Sequence, residues 1–423
     1  WYPYTPMTNN GPLRPALNIE KAEGSYLIDR LGKRYIDGNG SWWVSNLGHQ
    51  HPRLIHALKR QAEMMCHVSL AGISHEPAEA LADAMVRVTP EDLNHVFFSD
   101  DGSTAIEVAA RMALQYHQQT GNPQKNRFIV LNHAFHGETV ACASFSDMPE
   151  FHQSLASLVF ECERIPSPAD GVETSLQALN ETLEHRAGEI AALILEPLVQ
   201  GAGGMKMYPP LYLNKVRELL DKYNVILIDD EVFTGYGRTG SMWASDQAGI
   251  CPDILCTGKG FTGGLLPMAA TIASEKVFQA FVHQPTGPDR SLRYGHSFCG
   301  NPLACAVALE VLQVYEDEQV LAGIPEREAL LQQGLDSIAA IAGVSRPRRT
   351  GLIGAIDMEP DNQLGYEDPV GWRIYDAALK AGVYLRPLGN VIYFVPALNI
   401  PLKALNDLME VARETISESV VKA

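Results

Sequence analysis

The stretch NVILIDDEVFTGYGRTG at residues 224–240, followed by DILCTGKGFTGG at residues 253–264, decides the fold. Each opens on a short run of Val, Ile and Leu and then breaks into acids or glycines. Runs of this kind read as strands buried on both faces, as in a parallel sheet covered by helices. In such sheets ligands sit at the carboxyl ends of the strands. Asp229, Asp230 and Glu231 end the first strand, and three acids there are costly to bury unless paired or turned to a polar ligand. Lys259, between Gly258 and Gly260, ends the second. A lysine so placed is accessible yet partly desolvated, which lowers its pKa and frees its amine as a nucleophile.

The same alternation runs outward. HVFFS (95–99), RFIVL (127–131), AALILE (191–196) and MAATIA (268–273) are further expected strands. A helix is expected over 104–118, with Ile106, Ala109, Ala110, Ala113 and Tyr116 on one face. Alternating strands and helices predict an α/β fold with a mostly parallel sheet. The flanks differ. Residues 1–40 look extended and turn-rich. After 305 come long amphipathic helices, then GLIGAIDM (351–358), a helix near 369–381 and VYLRPLGNVIYFVP (383–396). This predicts a large domain over 41–304 and a smaller α+β domain over 305–423, which the segment 1–40 joins.

The other strand ends also suggest a site. Asp101-Gly102-Ser103-Thr104 offers free amides, hydroxyls and the positive end of a helix dipole, which suits a phosphate. An ordinary cap by Ser or Thr explains the same residues. In Phe135-His136-Gly137-Glu138, Phe135 could stack on a flat ligand or fill the core. Glu196 and Gln200, before a glycine loop, suggest a site wall, with a capping or paired acid as the equal alternative.

Two patterns point elsewhere. Gly235-Tyr236-Gly237-Arg238-Thr239-Gly240 matches GxGxxG, which would mean a nicotinamide dehydrogenase. Acids separate it from its strand and no good helix follows, so it reads as a loop with Arg238 pairing a nearby acid. His49 and His51 are two residues apart beside Pro52, a turn rather than a metal pair. No metal is expected, although Mg²⁺ at the Asp229–Glu231 cluster stays open on spacing alone.

The 423 residues are 46% hydrophobic and 20% charged, with a formal net charge of −17. That balance argues against a nucleic-acid partner or a DNA-reading regulator. No apolar run is long enough to span a bilayer, and no signal peptide is visible. Seven cysteines without a CxxC pair suggest free thiols and a cytoplasmic setting. The chain begins at Trp1, so some N-terminal residues are expected to be missing from it.

Together these residues resemble the class III, fold-type I aminotransferases, over essentially the whole chain. The resemblance implies pyridoxal 5′-phosphate as cofactor, a seven-stranded-type sheet and a homodimer with sites at the interface. It makes Lys259 the lysine that carries the cofactor as a Schiff base and then moves a proton between substrate and cofactor. Asp230 becomes the partner of the ring nitrogen, Gly102 and Ser103 the phosphate turn, and Phe135 the ring's stacking partner. Gly295-His296-Ser297, before FCGNP, resembles the segment that reaches the neighbouring subunit's site, with Ser297 at the phosphate and Gly295 near the substrate.

Trp1-Tyr2-Pro3-Tyr4-Thr5, Ser41-Trp42-Trp43 and RPLGNVIY (386–393) resemble one branch of the family. That branch makes 7,8-diaminononanoate for biotin from 8-amino-7-oxononanoate, with S-adenosylmethionine or lysine as donor. By that resemblance Tyr4, Trp42, Trp43 and Tyr393 line the substrate pocket and Arg386 holds a carboxylate. Trp and Tyr supply rigid apolar walls with a polar handle, and Arg supplies a bidentate fork. Another ω-aminotransferase, for diamines or 4-aminobutyrate, is the alternative. Three positions depart from the family pattern. Phe135 stands where Tyr is common, His296-Ser297 where Pro-Thr is common, and Asp229 where a small apolar residue is common.

Overall fold

The computed structural model describes residues 1–285, 287–359, 366 and 368–421. Its centre is a seven-stranded sheet. We number the strands β1 (Leu93–Ser99), β2 (Arg127–Leu131), β3 (Glu163–Ile165), β4 (Ile190–Leu195), β5 (Ile226–Asp230), β6 (Ile254–Thr257) and β7 (Ala269–Ser274). Their order across the sheet is β1-β7-β6-β5-β4-β2-β3. The pairs β6–β5, β5–β4, β4–β2 and β2–β3 are parallel, whereas β7 runs antiparallel to both β6 and β1. Every residue of β4, β5, β6 and β7 is buried, so these strands open on apolar runs rather than on an apolar–polar alternation.

Helix α1 (Gly102–Gln119) lies on one face and buries Ile106, Ala109, Ala110, Ala113 and Tyr116. Its cap is Asp101, not Ser103 or Thr104. The Asp101 carboxylate accepts from the Thr104 amide at 3.0 Å, and the Thr104 hydroxyl answers the Asp101 amide at 3.0 Å. This reciprocal pair fixes the helix start and leaves Ser103 unused as a cap.

The two flanks of the chain meet. Arg34–Asp37 pairs parallel with Val383–Tyr384, and Tyr26–Asp29 and Ile19–Glu23 continue that four-stranded sheet. Val344–Thr350, Ile353–Met358 and Val391–Phe394 make a separate three-stranded sheet. Helix α2 (Pro302–Asp317) runs unbroken across residues 304 and 305.

His117, near the end of α1, is fully buried and its Nε2 lies 2.9 Å from the Ala191 carbonyl. Burial pulls its pKa from 6.5 down to about 4, against a partial lift from that hydrogen bond. Between those values the unfolded chain binds the proton and the folded chain does not. The stability is complete above pH 6.5 and drains away as pH falls toward 4, in all about 3 kcal/mol. Denaturant titrations from pH 7 to 4 should show this slope, and His117→Gln should flatten it. An unchanged slope would exclude His117 as its source.

Candidate active site

A cavity of about 590 Å³ opens at the carboxyl ends of β5 and β6. Asp230 enters it from the end of β5 and Lys259 from the turn after β6. Successive strand residues face opposite ways, so Asp230 points into the cavity while Asp229 and Glu231 point away. Asp229 is fully buried, and neither carboxylate oxygen meets a hydrogen-bond partner among the described residues. Burial, with the nearby Glu231 charge, holds its pKa well above the ordinary value. Glu231 is pushed up to about 7 by burial. It accepts from the Thr234 hydroxyl at 2.6 Å and the Ser245 amide at 3.0 Å, and so serves the loop, not the cavity.

Asp230 is fixed by a partner that the sequence did not point to. His136 Nδ1 lies 2.7 Å from Asp230 Oδ2, and both side chains are buried. The Val232 amide donates to the other oxygen at 3.1 Å. Lys259 is partly buried, and desolvation lowers its pKa, with the charges of Asp230 and Glu196 offsetting part of that loss. Its φ of 46° is left-handed, a conformation costly for a side-chain-bearing residue and typical of functional sites. Its Nζ lies 5.3 Å from the Trp43 ring centroid.

Gly102, Ser103 and Phe135 also line the cavity. The first turn of a helix leaves amides without intrahelical acceptors, and here that turn opens on the cavity. A Cβ on Gly137 would lie 2.1 Å from Ser103 Oγ, so only glycine lets the two loops close around this spot. Phe135 is held by Glu196, whose carboxylate accepts the amides of Phe135 at 3.1 Å and Gly201 at 2.9 Å. Burial pushes Glu196 up to about 7. Glu196 therefore walls the site, whereas Gln200 does not line it and instead bonds Ser167 and the Asn132 carbonyl.

The opposite wall is aromatic. The turn Gly40–Trp43 has positive φ throughout: 55°, 46°, 65° and 73°. This left-handed turn delivers both Trp42 and Trp43 to the cavity. Tyr4 packs edge-on against Trp42 at 5.6 Å and Phe151 at 5.1 Å. Tyr393 is buried 6.0 Å from Trp43. The Arg386 guanidinium donates to the Tyr4 carbonyl at 3.1 Å and the Tyr366 hydroxyl at 3.0 Å, and lies 5.7 Å from the Trp42 ring. Phe151, Tyr366 and His136 line the cavity too. Only the dipeptide Phe135-His136 hinted at any of them.

Two residues expected at the neighbouring subunit's site lie outside this chain's own cavity. Gly295 and Ser297 are exposed and do not line this chain's cavity. Their segment is tied to its edge by His296, whose Nδ1 lies 3.0 Å from Asp100. Arg238 departs from expectation. It pairs with no acid among the described residues: fully buried, it donates to the carbonyls of Leu352 at 3.3 Å and Pro396 at 2.7 Å and to Asn46 Oδ1 at 2.8 Å. The glycines around it serve packing, since a Cβ on Gly235 would lie 2.8 Å from the Trp243 ring. Of the two histidines, His49 bonds Asp37 at 2.9 Å and His51 pairs with Glu318 at 3.3 Å. All seven cysteines are free, and no described helix is long and apolar enough to cross a membrane.

A desolvated lysine and a fixed carboxylate at adjacent strand ends, facing a glycine-cradled helix start, define a pyridoxal-phosphate enzyme of the aminotransferase type. Residues 7–416 match the family model for class III aminotransferases, and the chain belongs to that family. It is 38% identical to the adenosylmethionine-8-amino-7-oxononanoate aminotransferase of Geobacter sulfurreducens, over 98% of this chain and 95% of that protein. It is 39% identical to the Synechococcus elongatus protein of the same name, over 99% of this chain and 98% of that one. A crystal structure of the Methanocaldococcus jannaschii protein of that name superposes with a TM-score of 0.93 at 34% identity, covering 99% of this chain and 96% of that chain. Class III aminotransferases use pyridoxal phosphate. The residues here fit it: the Gly137–Ser103 closure leaves a cradle at the start of α1, and an amine and a carboxylate share the cavity.

Proposed function

We propose that the chain transfers an amino group to 8-amino-7-oxononanoate, giving 7,8-diaminononanoate in biotin synthesis, with S-adenosylmethionine as donor. The observation that carries this reading is one cavity holding a desolvated lysine, an aromatic wall and, among the described residues, a single guanidinium, Arg386. The names of the relatives, held over nearly full length, support it. An aliphatic keto acid needs apolar walls and one anion anchor.

When bound, pyridoxal phosphate supplies a carbonyl carbon for the amine and a ring that takes up electrons from the substrate's C–H bond. Lys259 would hold the cofactor. Desolvation lowers its pKa and so favours the neutral amine, and the freed amine can take and return a proton at the substrate carbon. Asp230, oriented by His136, would hold a proton on the ring nitrogen through its negative charge. Gly102 and Ser103 would bind the phosphate and Phe135 would cover the ring face. Arg386 would grip a carboxylate of donor and acceptor in turn, while Trp42, Trp43, Tyr4 and Tyr393 exclude water. Ser297 and Gly295 would serve the site of a second subunit in a homodimer, which light scattering should detect.

Half-reactions test the reading. S-adenosylmethionine should bleach the bound cofactor's visible band, and 8-amino-7-oxononanoate should restore it. Failure to aminate 8-amino-7-oxononanoate with any donor, while diamines or 4-aminobutyrate react, would favour the ω-aminotransferase alternative.

A further inference from the structure

One group of side chains that the reaction above does not use has the make-up of a cation site. Among the described residues, Asp100, His296 and Cys299 are the one such group of His, Cys, Asp or Glu whose ligand atoms all lie within 4.8 Å of one another. Asp100 follows β1 and lines the rim of the cavity. His296 and Cys299 come from the turn that carries Ser297. Spacing gave no sign of the group, since Asp100 stands 196 residues before His296.

The turn presents its two ligands together. The Cys299 amide donates to the His296 carbonyl at 3.2 Å, and the His296 amide donates to Cys299 Sγ at 3.1 Å. Gly300 ends the turn with a φ of 64°, and its carbonyl lies 2.8 Å from Nε2 of the buried His75. His296 Nδ1 faces Asp100 Oδ2 at 3.0 Å, and its Nε2 lies 2.9 Å from the Tyr294 hydroxyl. A histidine that ligates a metal through one nitrogen is held at the other by a hydrogen bond, and Tyr294 stands where that bond is made. An ion pair of His296 with Asp100 accounts for only part of this. It leaves Asp100 Oδ1 buried with no hydrogen-bond partner among the described residues, and it gives the thiol no role.

The donor set selects the ion. Thiolate, imidazole and a single carboxylate suit zinc, whereas Mg²⁺ and Ca²⁺ want shells of oxygen. Tetrahedral zinc, with bonds of about 2.0–2.3 Å, sets its ligand atoms roughly 3.3–3.7 Å apart. Side-chain movements on the order of an ångström bring the three atoms there. The fourth position falls to water from the cavity.

We propose that Asp100, His296 and Cys299 form a binding site for Zn²⁺. The thiol releases its proton to solvent as its sulfur joins the ion. The ion takes the place of the His296–Asp100 hydrogen bond and bonds to both residues. It thereby clamps the turn carrying Ser297 onto the end of β1. No step of the amino transfer passes through it.

The test is made on the holoenzyme, stripped of metal with a chelator and free of amine substrate. Calorimetry with Zn²⁺ should give one equivalent per chain at a Kd of about 10 μM or tighter. Cys299→Ser and His296→Asn should each weaken binding roughly tenfold or more. Cys299→Ser should keep its turnover in chelator within about twofold. Mg²⁺ in large excess should not displace the zinc. On the wild type, Zn²⁺ should slow alkylation of Cys299 roughly tenfold, read by peptide mass, and leave the exposed Cys66 reacting as before. That arm needs no variant to fold. Binding weaker than this, binding that both variants leave unchanged, displacement by Mg²⁺, or equal protection of the two cysteines would overturn the assignment.

Discussion

Lys259→Ala should lower turnover by about 10⁴-fold or more, because it removes the nucleophile and the proton-transfer group together. The loss should come with a folded protein. The lysine is partly buried, its charged form is disfavoured there, and its left-handed backbone is strained, so alanine removes a desolvated amine without opening the core strands. The measurement pairs steady-state rates with the cofactor's visible band, which the variant should lack. Borohydride trapping and peptide mapping of the wild type should place the cofactor's mass on the peptide containing Lys259. Multiple turnover of the variant at a normal rate would rule out the mechanism.

The second large effect is expected at Asp230. Asp230→Asn keeps the shape and a hydrogen bond toward His136 but deletes the charge. A preorganised charge in a water-excluded site is worth roughly 10²- to 10³-fold in kcat, and that loss is expected here. Asp229→Asn is the control. Asp229 points away from the cavity and burial holds its pKa well above the ordinary value, so an isosteric amide should leave kcat within about twofold. If the two variants were reversed in effect, the assignment of roles along β5 would be wrong.

The strands were legible because the sheet is covered on both faces, which forces continuous Val, Ile and Leu runs in β2, β4 and β5. The antiparallel turn of β7 was not, since a buried strand looks the same in either direction. Within Asp229-Asp230-Glu231 no local signal separates three acids. Only the alternation of faces does, once the strand is placed. His136 was missed because its partner lies 94 residues away. Arg238 was misread for the same reason: its acceptors are carbonyls 114 and 158 residues distant. A buried guanidinium satisfied by backbone leaves no acid in the sequence to find. Gly295 and Ser297 lie outside this chain's cavity, so the place proposed for them needs a second subunit.

The left-handed turn at Gly40–Trp43 bears on how this protein would respond to engineering. L-residues other than glycine lose about 1–2 kcal/mol each in that conformation, and three of them stand in a row. A library screened for heat resistance alone would therefore drift to glycine or asparagine at residues 41 and 42, whereas Trp43 is held by its packing in the core. It would return a sturdier protein with a blunted choice of substrate. Selecting for growth without biotin in the same rounds would hold both tryptophans in place, and the gap between the two outcomes would measure how much ruggedness this turn forgoes for selectivity.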